Sequence, residues 1–251
     1  MSEHDTPTTG PDRDEDDLGY EPFALQYDRG SADNPYNTLL ERPALRELLG
    51  PVRGLRVLEA GCAGGRLSAQ LADDGARVLG LDVSPSLVAA ARERAGERAE
   101  FRVHDLREPL DFLGTGSVDR VVSSLTLHYV ADWVPVLTEF RRVLAPGGRV
   151  VISTHHPFDD LELSERGDYF AVEQLTDTWK SYGPPPMVVR FYRRPLGDMV
   201  AAAHAAGLAV RDLREPRATE EHRAAFGDKK FPAVATRPRF LLLDLTPDPG
   251  R

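Results

Sequence analysis

Apolar and polar positions along this 251-residue chain follow two alternating rhythms. Short aliphatic runs bounded by Gly, Pro or Asp predict strands at 55–59, 77–82, 100–105, 118–123, 149–154, 209–213 and 239–245. Between them, apolar residues spaced three or four apart predict helices. One covers 39–49 and stops at Gly50-Pro51. The next carries Leu67 and Leu71 and ends near Gly75. A third runs over 86–94, with Ser84 as N-cap and Pro85 at the first helical position. A fourth, 133–144, is stopped by Ala145-Pro146-Gly147-Gly148, and a fifth covers 196–206 before a turn at Gly207. Strands alternating with helices predict an α/β fold: a Rossmann-like, seven-stranded, mostly parallel sheet with helices on both faces.

The rhythm fails over about 156–195. Aromatics and prolines crowd there, among them Phe158, Tyr169, Trp179, Tyr182, Pro184-Pro185-Pro186 and Phe191. This stretch is expected to be a small cap or lid insertion over one end of the sheet. It divides the chain into an acidic leader at 1–19, expected to be disordered, an N-terminal helical cap segment at 20–50, and a main domain at 51–251 that contains the lid.

Composition narrows the function. A net charge of −9 argues against nucleic-acid binding, which needs Lys and Arg to neutralise phosphates. No apolar N-terminal segment and no membrane-length run is present, so a soluble, cytoplasmic monomer or homodimer is expected. The single cysteine, Cys62, excludes an intrachain disulfide and a Cys-rich zinc site.

The chemistry concentrates where the first strand breaks: Val57-Leu58-Glu59-Ala60-Gly61-Cys62-Ala63-Gly64-Gly65. Glycines there let a ligand approach the backbone, and Asp82, about 20 residues on at the end of the next strand, sits where an acid grips ribose hydroxyls. A nicotinamide fingerprint is not met, because Ala63 and Arg66 stand where its second and third glycines belong. A phosphate-binding G-x-x-x-x-G-K-[ST] loop is also missing. With Leu81-Asp82-Val83-Ser84, His104-Asp105-Leu106, Ser123-Ser124-Leu125-Thr126-Leu127-His128-Tyr129 and Leu144-Ala145-Pro146-Gly147-Gly148-Arg149 in order, the chain resembles the class I S-adenosylmethionine-dependent methyltransferases of small-molecule type. Ala63 departs from that family, which usually has glycine there.

The resemblance implies S-adenosyl-L-methionine as cofactor. It puts Glu59, Gly61, Ala63 and Gly65 around the methionine end. Asp82 takes the ribose with Val83 beside it, Asp105 takes the adenine amino group with Leu106 beside the ring, and Ser123 passes beneath the sulfonium. Tyr36 is the tyrosine expected to close the pocket, ahead of Tyr20 and Tyr27. Because the sulfonium is already activated, the protein mainly orients the acceptor and removes its proton. His128, His155 and His156 are the candidate bases. Of the adjacent pair only one should face the pocket, His156 being preferred. The alternative for His128 is a structural cap of its turn, and for His104 a packed strand residue. Arg190, Arg193 and Arg194 either recognise an anionic acceptor or are surface charges. No metal is expected.

The expected function is methyl transfer to a small molecule, aromatic or acidic, in biosynthetic tailoring. Oxygen is favoured over nitrogen or carbon because a base is at hand. The Asn/Asp-Pro-Pro-aromatic motif of base-modifying enzymes is absent after the fourth strand. The alternative is a cofactor-binding regulatory or scaffold protein without transfer activity.

Overall fold

A computed structural model describes residues 21–180, 182–248 and 250; the acidic leader at 1–19 and Tyr20 lie outside them. In chain order the elements are α1 (Ala24–Ser31), α2 (Arg42–Leu49), β1 (Arg56–Ala60), α3 (Arg66–Asp73), β2 (Arg77–Asp82), α4 (Pro85–Ala95), β3 (Ala99–Val103), β4 (Val118–Ser124), α5 (Trp133–Val143), β5 (Leu144–His155), α6 (Pro157–Asp160), β6 (Glu173–Trp179), β7 (Met187–Arg193), α7 (Leu196–Ala205), β8 (Leu208–Arg214), α8 (Arg223–Thr236) and β9 (Phe240–Pro247).

Seven strands form one sheet in the order β3-β2-β1-β4-β5-β9-β8. β9 runs antiparallel to both of its neighbours, and the other pairings are parallel. Alternate strand positions feed two cores. Leu58, Leu81, Val121, Ile152 and Leu243 pack with α5 and α7. Val57, Val78, Val122, Val151 and Leu242 pack with α2, α3 and α8. Each such fully buried side chain contributes roughly 1.5–3 kcal/mol. Trp133 anchors the start of α5, its indole N–H donating to the Leu127 carbonyl at 2.8 Å. Ser84 caps α4 as the pattern required, accepting from the Leu87 N–H at 3.1 Å.

The structure departs from the pattern in identifiable places. The expected helix at 39–49 enters through a π-helical turn, Tyr36–Glu41, before α2 begins. β5 starts at Leu144, because the expected stop at 145–148 is taken up in the strand, where Leu144 still pairs with Val118. α1 falls inside the expected helical cap segment at 20–50, whereas α8 forms where no helix is expected. In α8, Gly227 and Pro232 interrupt the helical signal, and Gly227 is a kink with φ 70°. The lid holds an antiparallel hairpin of β6 and β7. Arg193, fully buried, staples it by donating to the carbonyls of Asp168, Tyr169 and Ala171 at 2.7–3.0 Å.

The N-terminal segment forms a roof beside this hairpin. Glu21 accepts from the Ser84 and Ser86 hydroxyls at the start of α4. Asp28 pairs with Arg94 at 2.7 Å and lies 3.5 Å from Arg66. Gln26 donates to the carbonyls of Gly183 and Pro185 at 2.8 and 2.9 Å.

Candidate active site

The strand order reverses between β1 and β4, and a crevice opens at the carboxyl ends of strands at such a switch point. Here it is a cleft of about 270 Å³. The turn after β1 forms its floor. Gly61 has φ 82°, and a Cβ there would meet Thr126 Oγ1 at 2.1 Å, so only glycine lets the loop after β4 cross over it. Ala63 occupies the left-handed region at φ 45°, a cost of roughly 1 kcal/mol for a residue with a Cβ. Asp82 compensates by accepting from the Ala63 N–H at 2.8 Å and the Ser84 N–H at 3.0 Å. Burial pushes the Asp82 carboxyl up and these N–H groups oppose it, with a net rise.

Val83, Asp105 and Leu106 line the same cleft. Arg107 holds Asp105 in a bidentate pair at 2.7–3.0 Å. Burial alone would raise that carboxyl, but the Arg107 bonds and charge hold it below the usual range. His104 also lines the cleft; its ring packs edge-on against Phe112 at 5.0 Å and its Nε2 lies 3.3 Å from the Glu108 carbonyl.

Four expected cofactor residues do not line the cleft: Ser123, Gly65, Tyr36 and Glu59, the last of which lines a smaller cavity beside it. Ser123 is fully buried and donates to the Ala60 carbonyl at 3.0 Å, tying β4 to β1, while Ser124, Leu125 and Thr126 supply the wall. Gly65 opens α3 at φ 74°, and its missing Cβ makes room for Ala91 of α4, which such an atom would meet at 2.7 Å. Tyr36 is likewise displaced. It packs edge-on against Phe226 at 5.1 Å and lines neighbouring cavities, whereas Tyr27 and Glu21 line the cleft. Nothing in the spacing of the tyrosines separated Tyr27 from Tyr36.

A small cavity of about 50 Å³ continues the cleft past Gly61 and Ala63 and reaches Glu59 and Glu41. Burial pushes the Glu59 carboxyl up to about 8, with Asp82 and Glu41 adding to it and Ser68 and Arg42 opposing. The Ser68 hydroxyl donates to Glu59. Burial also raises Glu41, although Ser153 and Ser124 donate to its Oε1.

On the other side, across Tyr27, Leu125 and Tyr129, the cleft abuts a cavity of about 120 Å³ that contains His128 and His155. Their rings stack at 4.0 Å. Burial holds His128 well below 6.5, with His155 and Arg194 adding to the effect. Burial also opposes charge on His155, but Asp160, 3.5 Å from Nδ1, together with Asp159 and Asp177, raises it above 6.5. Tyr36, Trp179, Tyr182 and Phe240 complete the walls. Leu125, at φ 49°, sits on the boundary with the cleft, held by its N–H on the Ser153 carbonyl at 3.1 Å.

The preference for His156 is corrected. Its Nε2 is 2.8 Å from Glu215, and its Nδ1 accepts from the Phe158 N–H at 3.3 Å, capping α6 on the far side of the strand. It lines none of these cavities. Strand alternation does select one of the pair, and it selects His155. The arginines take structural posts or face solvent. Arg194 donates to the Val130 and Ala131 carbonyls over the Trp133 ring, and Arg190 is exposed. Cys62 is buried against Val88 and Ala91, and burial pushes its thiol up. Among the described residues no group of three His, Cys, Asp or Glu side chains is placed to hold a metal, and no helix is long and apolar enough to cross a membrane.

Fold and site together define a Rossmann-like protein with a cleft at the switch point and a histidine-containing cavity beside it. A family profile described as a methyltransferase domain matches residues 58–152. The ubiquinone biosynthesis O-methyltransferase of Xanthomonas oryzae pv. oryzae is 38% identical over 104 residues, 40% of this chain and 43% of that protein. The chain therefore spans under half the length of the curated relatives it matches. An S-adenosylmethionine-dependent methyltransferase from Mesorhizobium loti superposes with a TM-score of 0.69 at 28% identity, over 82% of this chain and 96% of that one. A Listeria monocytogenes structure with a TM-score of 0.69 and 21% identity, over 83% and 96% of the two chains, shares the fold. The profile match and these structures support a class I S-adenosylmethionine-dependent methyltransferase. The site suits that cationic cofactor: three buried carboxylates gather at one end, and Glu41 Oε2 has no hydrogen-bond partner.

Proposed function

We propose that the chain methylates a small, flat acceptor, at oxygen, held between His128, His155 and the lid hairpin. The observation that carries this is the position of the aromatic cavity. It meets the cofactor cleft at Leu125 and Tyr129 and contains His155 backed by Asp160. The bound cofactor supplies a methyl group already activated on a sulfonium. Val83, Leu106 and Asp105 would flank its adenine, Asp82 its ribose, and Gly61 and Ala63 its methionine end.

The protein's own task is the proton. An acceptor hydroxyl against His155 gives its proton to the imidazole, and Asp160 steadies the resulting cation. The oxygen's electron pair then forms the bond to the methyl carbon as the carbon–sulfur bond breaks. His128, held neutral, packs against the His155 ring and fixes its plane. Aromatic walls suit a ring-bearing acceptor. The name of the Xanthomonas relative, an O-methyltransferase, supports oxygen.

The test is transfer of labelled methyl from S-adenosylmethionine to matched phenols, carboxylic acids and amines, with cofactor affinity measured alongside. Labelling of phenols or acids, lost in His155→Ala with cofactor affinity intact, is the expected result. Labelling of amines alone would overturn the oxygen assignment. Tight cofactor binding without labelling of any class would favour a regulatory or scaffold protein.

A further inference from the structure

We infer that Glu41, carried by the N-terminal cap, joins Glu59 as a two-carboxylate seat for the α-ammonium of the cofactor. This rests on the reading that the cleft takes S-adenosylmethionine. Both side chains line the cavity past Gly61 and Ala63, and they are 1% and 2% exposed. Glu41 Oε1 is satisfied by Ser124 and Ser153, so its orientation is fixed from β4 and β5. Its Oε2 is buried with no partner, a costly arrangement unless a ligand supplies a donor.

The surroundings favour a cation. Asp82 at the end of β2 adds negative potential to Glu59, and Arg42, adjacent to Glu41, opposes it. Ser68 donates to Glu59 from α3. Asp28, Arg42 and Arg66 line the same cavity, and Asp28 is spent on Arg94 and Arg66. Burial drives both carboxyls up, Glu59 to about 8, so near neutrality Glu59 in the empty seat retains a proton. A bound ammonium replaces that proton. Binding should release about one proton, and affinity should climb about tenfold per pH unit until the seat is ionised near pH 8.

The test compares two nucleosides on the full chain by calorimetry in buffers of different ionisation enthalpy. S-adenosylhomocysteine carries the α-ammonium and methylthioadenosine lacks it. The first should bind with release of about one proton and a pH-dependent affinity, the second with neither. Glu41→Gln should weaken S-adenosylhomocysteine about tenfold or more and leave methylthioadenosine unchanged. A merely structural role for Glu41 would weaken both. Glu41→Asp, which keeps the charge and withdraws it by one methylene, should show the same selective loss and serves if the glutamine variant does not fold. Equal proton counts for the two nucleosides, or equal weakening of both, would overturn the seat alone. Failure of the native chain to bind either would overturn the cofactor reading and the seat with it.

Discussion

Replacing Glu59 with glutamine should make the cofactor-free protein more stable and its grip on the cofactor weaker. The folded carboxyl is raised from an ordinary 4.5 to about 8, chiefly because it is buried. The folded state thus binds this proton more tightly than the unfolded state does. Its contribution is fully present below pH 4.5 and drains away as pH climbs toward 8, at about 1.4 kcal/mol per pH unit. By pH 7 the loss approaches about 3 kcal/mol. Glutamine has no such slope, but its amide must also be desolvated and its bond from Ser68 is weaker, so a gain of about 1–3 kcal/mol is expected at pH 7. For a chain of this length each kcal/mol moves the melting midpoint by about 2–4 °C. Melts of both proteins at pH 5, 6, 7 and 8 without cofactor provide the assay. Taking the difference between them removes the slopes of all other groups. The gain should be small at pH 5 and grow steadily to pH 8. A gain that stays constant across that range, or a loss that deepens with pH, would refute the burial argument.

His155→Ala should cut turnover by about 10²–10⁴-fold at unchanged cofactor affinity, whereas His156→Ala should leave turnover near native and lower stability by about 1 kcal/mol through the lost α6 cap. The reverse pattern in a methyl-transfer assay would show that the far-side histidine does the work. Asp160→Asn removes the charge that raises His155, so the rising limb of the pH–rate profile should move to lower pH; an unmoved limb would exclude His155 as the base. Ala63→Gly should raise stability by up to about 1 kcal/mol by relieving a Cβ at positive φ, and a lower urea midpoint would show that the methyl group packs usefully.

The sequence made the sheet legible because both rhythms run through it. Strand positions such as Val57 and Leu58 are apolar on both faces, and glycines and prolines mark most breaks. Asp82, Asp105 and the turn at Gly61 were legible for a related reason: each lies at or just past the end of a strand, and strand ends converge at the switch point. What sequence reading could not resolve was direction. Ser123 and Ser124 differ by one residue, as do His155 and His156. In each pair one member faces a cavity and the other binds backbone or caps a helix, and the choice depends on register. The N-terminal segment was hardest. Glu21, Tyr27 and Glu41 owe their positions to contacts with residues far along the chain, Ser84, Tyr182 and Ser153 among them.

Gln26, Tyr27 and Asp28 are consecutive, yet they serve three different masters. The first holds the tip of the hairpin, the second lines both the cleft and the histidine cavity, and the third is pinned to arginines of the sheet's flanking helices. A single turn of helix therefore acts as a common rivet. Releasing the hairpin would then shift the partition as well, so on the proposed reading acceptor entry and nucleoside exit should be coupled.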